Sequence, residues 1–526
     1  MDVTDSTLLK MAIEDSLKKR YLYKASTNLV GFLIALASAG VVPRGLGPAA
    51  YGSFNFLSTF FSQFVGFFDP GTSTAFYTKL SQRPKESGLL TFYWGYIGTV
   101  SLVVFLLVAL AFVASLDGWL WPGQIAPHIW MAALLGLLVL YNDTISKVVD
   151  GHGLTAKGEI RRIQQRVLGV GLLLLLFWLG QLDNLTTFFL YNYLILLVLS
   201  LLWWSLLKQV GITLVPRSRL SLSEIKGYGL EFHTYVAPLL VYSLVGFLMG
   251  LLDIWLLQTF GGSVQQGFYG LAYRIASICF LFTSAMTPLL TREFAIAFAQ
   301  QDHTRMRGTF QRYIPMLYAV AAFFAVFVAI QADKASIILG GREFEGATLA
   351  VAIMSFYPIH QTYGQLTGAY CMATGRTKLF GSLGVIMMLI GLPMAFWLTA
   401  PQQWLGLNLG AEGLAIKMVG LQIISVNLLL WFSARSLGLS FWRFLWHQLY
   451  TVAALAGMAW LIAYGVDRFV AGVLPAFLIS GLIYSLVCGI ATFLFPTVLS
   501  VSRPEFMEQL RWLRQAVGKK SSSEAR

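Results

Sequence analysis

The side chains in this 526-residue chain that stand out chemically are ionisable groups lying inside long apolar runs. A charge deep in a membrane costs roughly 2.5–3.5 kcal/mol on insertion scales, so each such group predicts a partner or a wet cavity. Asp253 falls about five residues, roughly 7–8 Å, from one end of its run, and Arg274 about nine residues, roughly 13 Å, from the facing end of the next. Antiparallel neighbours could pair these two charges. The pair would then be either a static staple or a cavity cation, Arg274, modulated by Asp253 as counter-ion. Lys417 sits just inside a later run behind Glu412, where its stem could snorkel to the surface or its ammonium could face a cavity. His360, mid-run beside Gln361 and Tyr363, is either a hydrogen-bonded core residue or a ligand-facing one. Asp69, with Pro70 and Gly71, marks a broken helix able to hinge, and its carboxylate joins Asp253 as a candidate coupling group. Asp143, Lys147 and Asp150 share one helical face, and the i, i+4 spacing of the first two explains them without a special function.

Other chemistry is missing. No G-x-x-x-x-G-K-[ST] phosphate loop occurs, which excludes an ATP-driven pump within this chain. No H-E-x-x-H or paired-cysteine metal site is present, and Cys279, Cys371 and Cys488 read as small core residues. No cofactor is expected, and coupling to H+ or Na+ stays open. The net charge of +13, from 37 Lys and Arg against 24 Asp and Glu, is not read as a nucleic-acid site.

The elements that must position these groups are membrane helices. The chain is 57% apolar and only 12% charged, about half the charge of a soluble protein. With about 20 apolar residues per crossing, fourteen spans account for almost the whole chain. Of the Lys and Arg residues, 31 fall on one set of alternate loops and tails and four on the other, which places both termini in the cytoplasm. The tails carry amphipathic patterns, Leu9, Ile13 and Leu17 in one and Phe506, Leu510, Leu513 and Val517 in the other, suited to a membrane surface. Trp119, Trp121, Trp203, Trp204, Trp442 and Trp446 at span ends read as an interfacial belt.

A repeat runs through the spans. Tyr51-Gly52 opens the second and is followed by Pro70, 19 residues after the tyrosine; Tyr269-Gly270 opens the eighth and is followed by Pro288 at the same spacing. Six spans separate the copies, so they share one orientation and the repeat is parallel, with a path expected between the halves. Pro70 and Pro288 are the candidate hinges. The expected fold is all-α and polytopic, two pseudo-symmetric six-helix lobes plus two helices. The divisions are an N-tail (1–23), an N-lobe (24–208), a cytoplasmic linker (209–230), a C-lobe (231–433), spans 13 and 14 (434–498) and an amphipathic C-tail (499–526).

Arg44-Gly45-Leu46-Gly47-Pro48-Ala49-Ala50-Tyr51-Gly52 resembles the R-x-L-G-P-x-x-Y-G signature of polysaccharide transporters in the multidrug, oligosaccharidyl-lipid and polysaccharide exporter superfamily. Asp253 with Gly267-Phe268-Tyr269-Gly270-Leu271-Ala272-Tyr273-Arg274, then Thr374-Gly375-Arg376, then Gly410-Ala411-Glu412-Gly413-Leu414-Ala415, resemble further segments of that family in order. The resemblance implies a Wzx-type flippase that carries a polyprenyl-pyrophosphate-linked oligosaccharide across the bacterial inner membrane by alternating access. It is similar to lipid II flippases in placing cavity arginines, which suits Arg274 and Arg44, with Lys417 and His360 added from this chain's own pattern. Partners implied are membrane lipids, a polysaccharide polymerase and a chain-length regulator. A drug or cation exporter of the same superfamily, for which a negative, apolar cavity is expected, is the alternative. An intramembrane glycan polymerase or ligase is disfavoured by short outer loops.

Overall fold

Apolar runs of this length can satisfy their backbone in lipid only as helices, and the computed structural model shows helices throughout the residues it describes, 17–214, 220–284 and 287–494. The amphipathic C-tail, and Leu9 and Ile13 of the N-tail, lie outside the described residues. The main helices are α1 (Leu17–Phe67), α2 (Thr72–Gln82), α3 (Ser87–Val113), α4 (Ala126–Gly151), α5 (Thr155–Trp178), α6 (Leu185–Gln209), α7 (Leu222–Ser284) and α8 (Thr287–Ala299). They continue as α9 (His303–Ile330), α10 (Thr348–Met354), α11 (Tyr357–Ala373), α12 (Thr377–Thr399), α13 (Gly410–Ser436), α14 (Phe441–Phe469) and α15 (Val473–Leu494). Among the described residues nine helical segments are long and apolar enough to cross a membrane, and one of them, Ser243–Cys279, holds parts of two expected spans. The protein is a multi-pass membrane protein.

Two expected loops shrink to single residues. Helix α1 is broken at Gly47 (φ 70°, ψ 170°) and α7 at Gly262 (φ 70°, ψ −174°), a backbone region open only to glycine. Pro48 follows the first break, where a fixed φ and a missing N–H suit the start of a helix. Side chains cap other helix starts. Ser221 and Glu224 form a reciprocal capping box at α7, Asn184 accepts from the Thr186 N–H at 2.8 Å, and Asp302 from the Arg305 N–H at 2.8 Å.

Helix order and length repeat. The pair α2 and α8 has 11 and 13 residues, α3 and α9 have 27 and 28, α5 and α12 have 24 and 23, and α6 and α13 have 25 and 27. Helix α4, with 26 residues, corresponds to α10 and α11 taken together, split at Ser355 and Phe356. Positive-φ glycines mark matching turns: Gly47 and Gly262, Gly153 and Gly375, Gly211 and Gly438. These landmarks correct the register expected from Tyr51 and Tyr269. Gly47 matches Gly262, each the one non-helical residue inside its helix, so Tyr51 corresponds to Gln266 and the dipeptide match falls three residues out of register. Three residues turn a helix through about 300°, leaving the false match on nearly the same face.

The chain divides into two compact units, Met1–Gly270 with Met388–Leu414, and Leu271–Met387 with Ala415–Arg526. The first has aromatic cores, with Phe76 stacked on Tyr93 at 4.0 Å and Phe60 and Phe61 against Trp121. In the second, Phe310 meets Phe294, Tyr370 and Phe444. Trp119, Trp204, Trp442 and Trp446 are exposed as belt residues should be, but Trp121 and Trp203 are 3% and 2% exposed and belong to the cores. Trp203 donates to the Gly158 carbonyl and carries the Arg162 guanidinium over its ring.

Candidate functional site

In the second unit, Arg274 is an exposed residue of α7. The ring of the preceding Tyr273 lies 6.3 Å from that of Tyr357 on α11, three residues before His360. His360 is buried, its Nδ1 3.1 Å from the Phe356 carbonyl and its ring edge-on to Tyr318 at 6.3 Å. That is the geometry of a packed, hydrogen-bonded histidine. Its neighbour Gln361 accepts from Gln422 of α13 at 2.6 Å, and Gln365 accepts from the Thr287 hydroxyl at 2.9 Å, so amides tie α11 to both α13 and α8. Lys417 lies on α13 five residues before Gln422 and is 6% exposed. Pro288 lies on α8. Arg274, Lys417 and the Gln361–Gln422 pair thus belong to one unit, whose helices offer cations and neutral donors suited to phosphate and hydroxyl groups.

In the first unit, Asp253 is half-buried on α7 and Arg44 is exposed three residues before the break at Gly47. Asp69 lies in the gap between α1 and α2, where Gly71 takes φ 109°. One carboxylate oxygen of Asp69 accepts from the Thr72 hydroxyl and from the Ser73 N–H at 2.7 Å, so it works as a cap on α2. Pro70 lines a cavity of about 280 Å³ with Thr72, Phe92, Tyr96, Phe232 and His233.

At its N-terminal end α7 is tied down by charge. Glu231 meets Arg83 at 2.8 Å and Lys79 at 2.7 Å, and the Tyr228 hydroxyl donates to Glu86 at 2.5 Å. Burial works against the Glu231 carboxylate, but hydrogen bonds and charge from Lys79 and Arg83 outweigh it and hold the carboxyl below its usual range. The Glu231 hydrogen bond raises Arg83 in turn, and burial with the Glu86 contact pushes Tyr228 up to about 12.

Two features escaped sequence reasoning. Arg162 and Arg166, counted with loop cations, are helical residues of α5. Arg162 pairs with Glu159 at 2.8 Å, while the Arg166 guanidinium occupies the space a side chain at Gly31 would need. The second is an uncharged cluster around Ser263, visible in the sequence only as scattered Gln and Ser. Among the described residues no three His, Cys, Asp or Glu side chains group to hold a metal ion.

Comparison with known proteins fits this architecture. A solved lipid II flippase MurJ, in an inward closed conformation, superposes with a TM-score of 0.62 at 15% identity, over 90% of this chain and 98% of that one. An inward-facing multidrug resistance MATE family transporter of the MOP superfamily gives 0.55 at 16% identity, over 78% and 94%. No curated protein matches the sequence. The profile of the family described as "Polysaccharide biosynthesis protein" matches residues 17–292, from the start of α1 into α8. With more than half its length under that match, the chain belongs to the polysaccharide biosynthesis protein family.

Proposed function

We propose that the protein is a flippase that moves a polyprenyl-pyrophosphate-linked oligosaccharide across the bacterial cytoplasmic membrane by alternating access, for O-antigen, capsule or exopolysaccharide export. The observation that carries this reading is the polysaccharide-family match over residues 17–292, on a chain whose helix order repeats. The chemistry agrees with it. A pyrophosphate needs cationic donors in a low-dielectric setting, which Arg274 and Lys417 would supply. Amide and aromatic side chains on α11 and α13 suit sugar hydroxyls and ring faces, and the polyprenyl tail can stay in lipid. Both termini would be cytoplasmic, and a polymerase and chain-length regulator would act on the exported unit. The likeness to a lipid II flippase supports the general form of this job.

The test is reconstitution of the purified chain in vesicles holding a fluorescent polyprenyl-pyrophosphate oligosaccharide in one leaflet. Protein-dependent movement of the sugar to the other leaflet is expected. Movement of organic cations with no movement of the lipid-linked sugar would replace the reading with a drug exporter.

A further inference from the structure

Two helical legs cross inside the first unit with almost no space between them: the part of α1 after Gly47 and the part of α7 after Gly262. A β-carbon on Gly52 would stand 1.7 Å from the Ser263 carbonyl oxygen, and one on Gly267 would stand 2.1 Å from the Pro48 carbonyl oxygen. The contact is reciprocal. Pro48 and Ser263 each follow a broken glycine, and Gly52 and Gly267 each lie four residues further on, so each glycine abuts the matching carbonyl of the other copy. Around the crossing the bonds are neutral. Ser263 Oγ lies 2.9 Å from Ser53 Oγ and 3.1 Å from both Gln124 Nε2 and Gln258 Nε2, three neutral partners that share one hydroxyl, and Gln258 also donates to the Pro122 carbonyl at 2.9 Å.

We propose that this glycine seam, with Ser263 as its clasp, is the gate on the outer side of the transport path and opens in each cycle. Backbone against backbone leaves no room for water, which a seal requires. Neutral hydrogen bonds are individually weak and their groups can be rehydrated at little cost, which a repeatedly opened contact requires. A permanent packing contact would need neither a polar clasp nor partners from three separate segments converging on one hydroxyl. The inference rests on the transport reading but not on the identity of the cargo.

The experiment reads opening directly. In a chain with Cys279, Cys371 and Cys488 replaced, Asn55→Cys, on α1 about one turn beyond Gly52, is exposed to a membrane-impermeant maleimide in right-side-out and in inverted vesicles. Slow labelling is expected with Gly52 and Gly267 intact. Gly52→Ala should speed it several-fold while Gly66→Ala, whose β-carbon meets nothing within 4 Å, should not. A Ser53→Cys, Ser263→Cys disulfide should reduce labelling to background until dithiothreitol is added. Should Gly52→Ala fail to insert, Ser263→Ala, which leaves the backbone untouched, should also speed labelling. Equal rates in Gly52→Ala and Gly66→Ala, equal rates with and without Ser263, or unchanged labelling in the disulfide-locked chain would overturn the gate. Loss of sugar movement with these labelling differences intact would instead overturn the flippase reading.

Discussion

A guanidinium on a membrane helix needs a polar counterpart, and under the flippase reading the cargo's phosphate fills that role for Arg274. Arg274→Ala should lower sugar translocation at least tenfold at unchanged membrane abundance, since charge-assisted hydrogen bonds contribute about 1.5–3 kcal/mol. Arg274→Lys should recover part of it, keeping the charge but losing the two-pronged donor. Exchanging the charges, Asp253→Arg with Arg274→Asp, should stay inactive; recovery would make the pair a staple. The sequence singles out Arg274, His360 and Lys417 because polar residues inside apolar runs are conspicuous. It counts Arg162 and Arg166 with the loop cations, whereas both lie on α5, which starts at Thr155, ahead of its apolar part. His360 also shows that conspicuousness is not function, its Nδ1 lying 3.1 Å from the carbonyl one turn earlier.

At the scale of elements, the gap between α1 and α2 is held by the Asp69 cap. Asp69→Ala should cost about 0.5–2 kcal/mol, seen as a lower melting temperature in detergent, whereas Asp69→Asn, which keeps an acceptor oxygen, should cost less. The N-terminal end of α7 predicts a pH response. Because Lys79 and Arg83 depress Glu231, its ion pairs contribute fully above the ordinary carboxylate value of 4.5 and fade as pH falls below it through the folded value. Thermal stability of the wild type should therefore drop more steeply on acidification than that of Glu231→Gln, and equal slopes would remove Glu231 from this role. Helix existence was legible from hydropathy, and the break at Asp69-Pro70-Gly71 from composition. The reduction of two turns to Gly47 and Gly262 was not, since a glycine-containing loop and a one-residue kink leave the same trace in a sequence.

For the whole molecule, the alternation of Lys and Arg between loops predicts a definite topology. Ser221→Cys should resist an impermeant thiol reagent added outside cells and react in inverted vesicles; reaction from outside would contradict cytoplasmic placement of that loop. The repeat was legible in outline because each copy keeps the same succession of helices. Its register was not. Equivalent turns drift from Gly47 and Gly262, 215 residues apart, to Gly153 and Gly375 and then Gly211 and Gly438, 222 and 227 apart, so no single spacing aligns both copies. The buried positions of Trp121 and Trp203 depend on neighbours distant in the chain, Phe61 for one and Gly158 for the other.

The reciprocity of Gly52 and Gly267 has a thermodynamic consequence. Two residues that close one contact from opposite sides are not independent sites, and free energies of change at such sites do not add. Once an alanine at either position has forced the backbones apart, the second alanine meets space already made. Gly52→Ala combined with Gly267→Ala should therefore accelerate labelling of Asn55→Cys little more than the stronger single change, whereas multiplied effects would mean that the two glycines seal separate contacts.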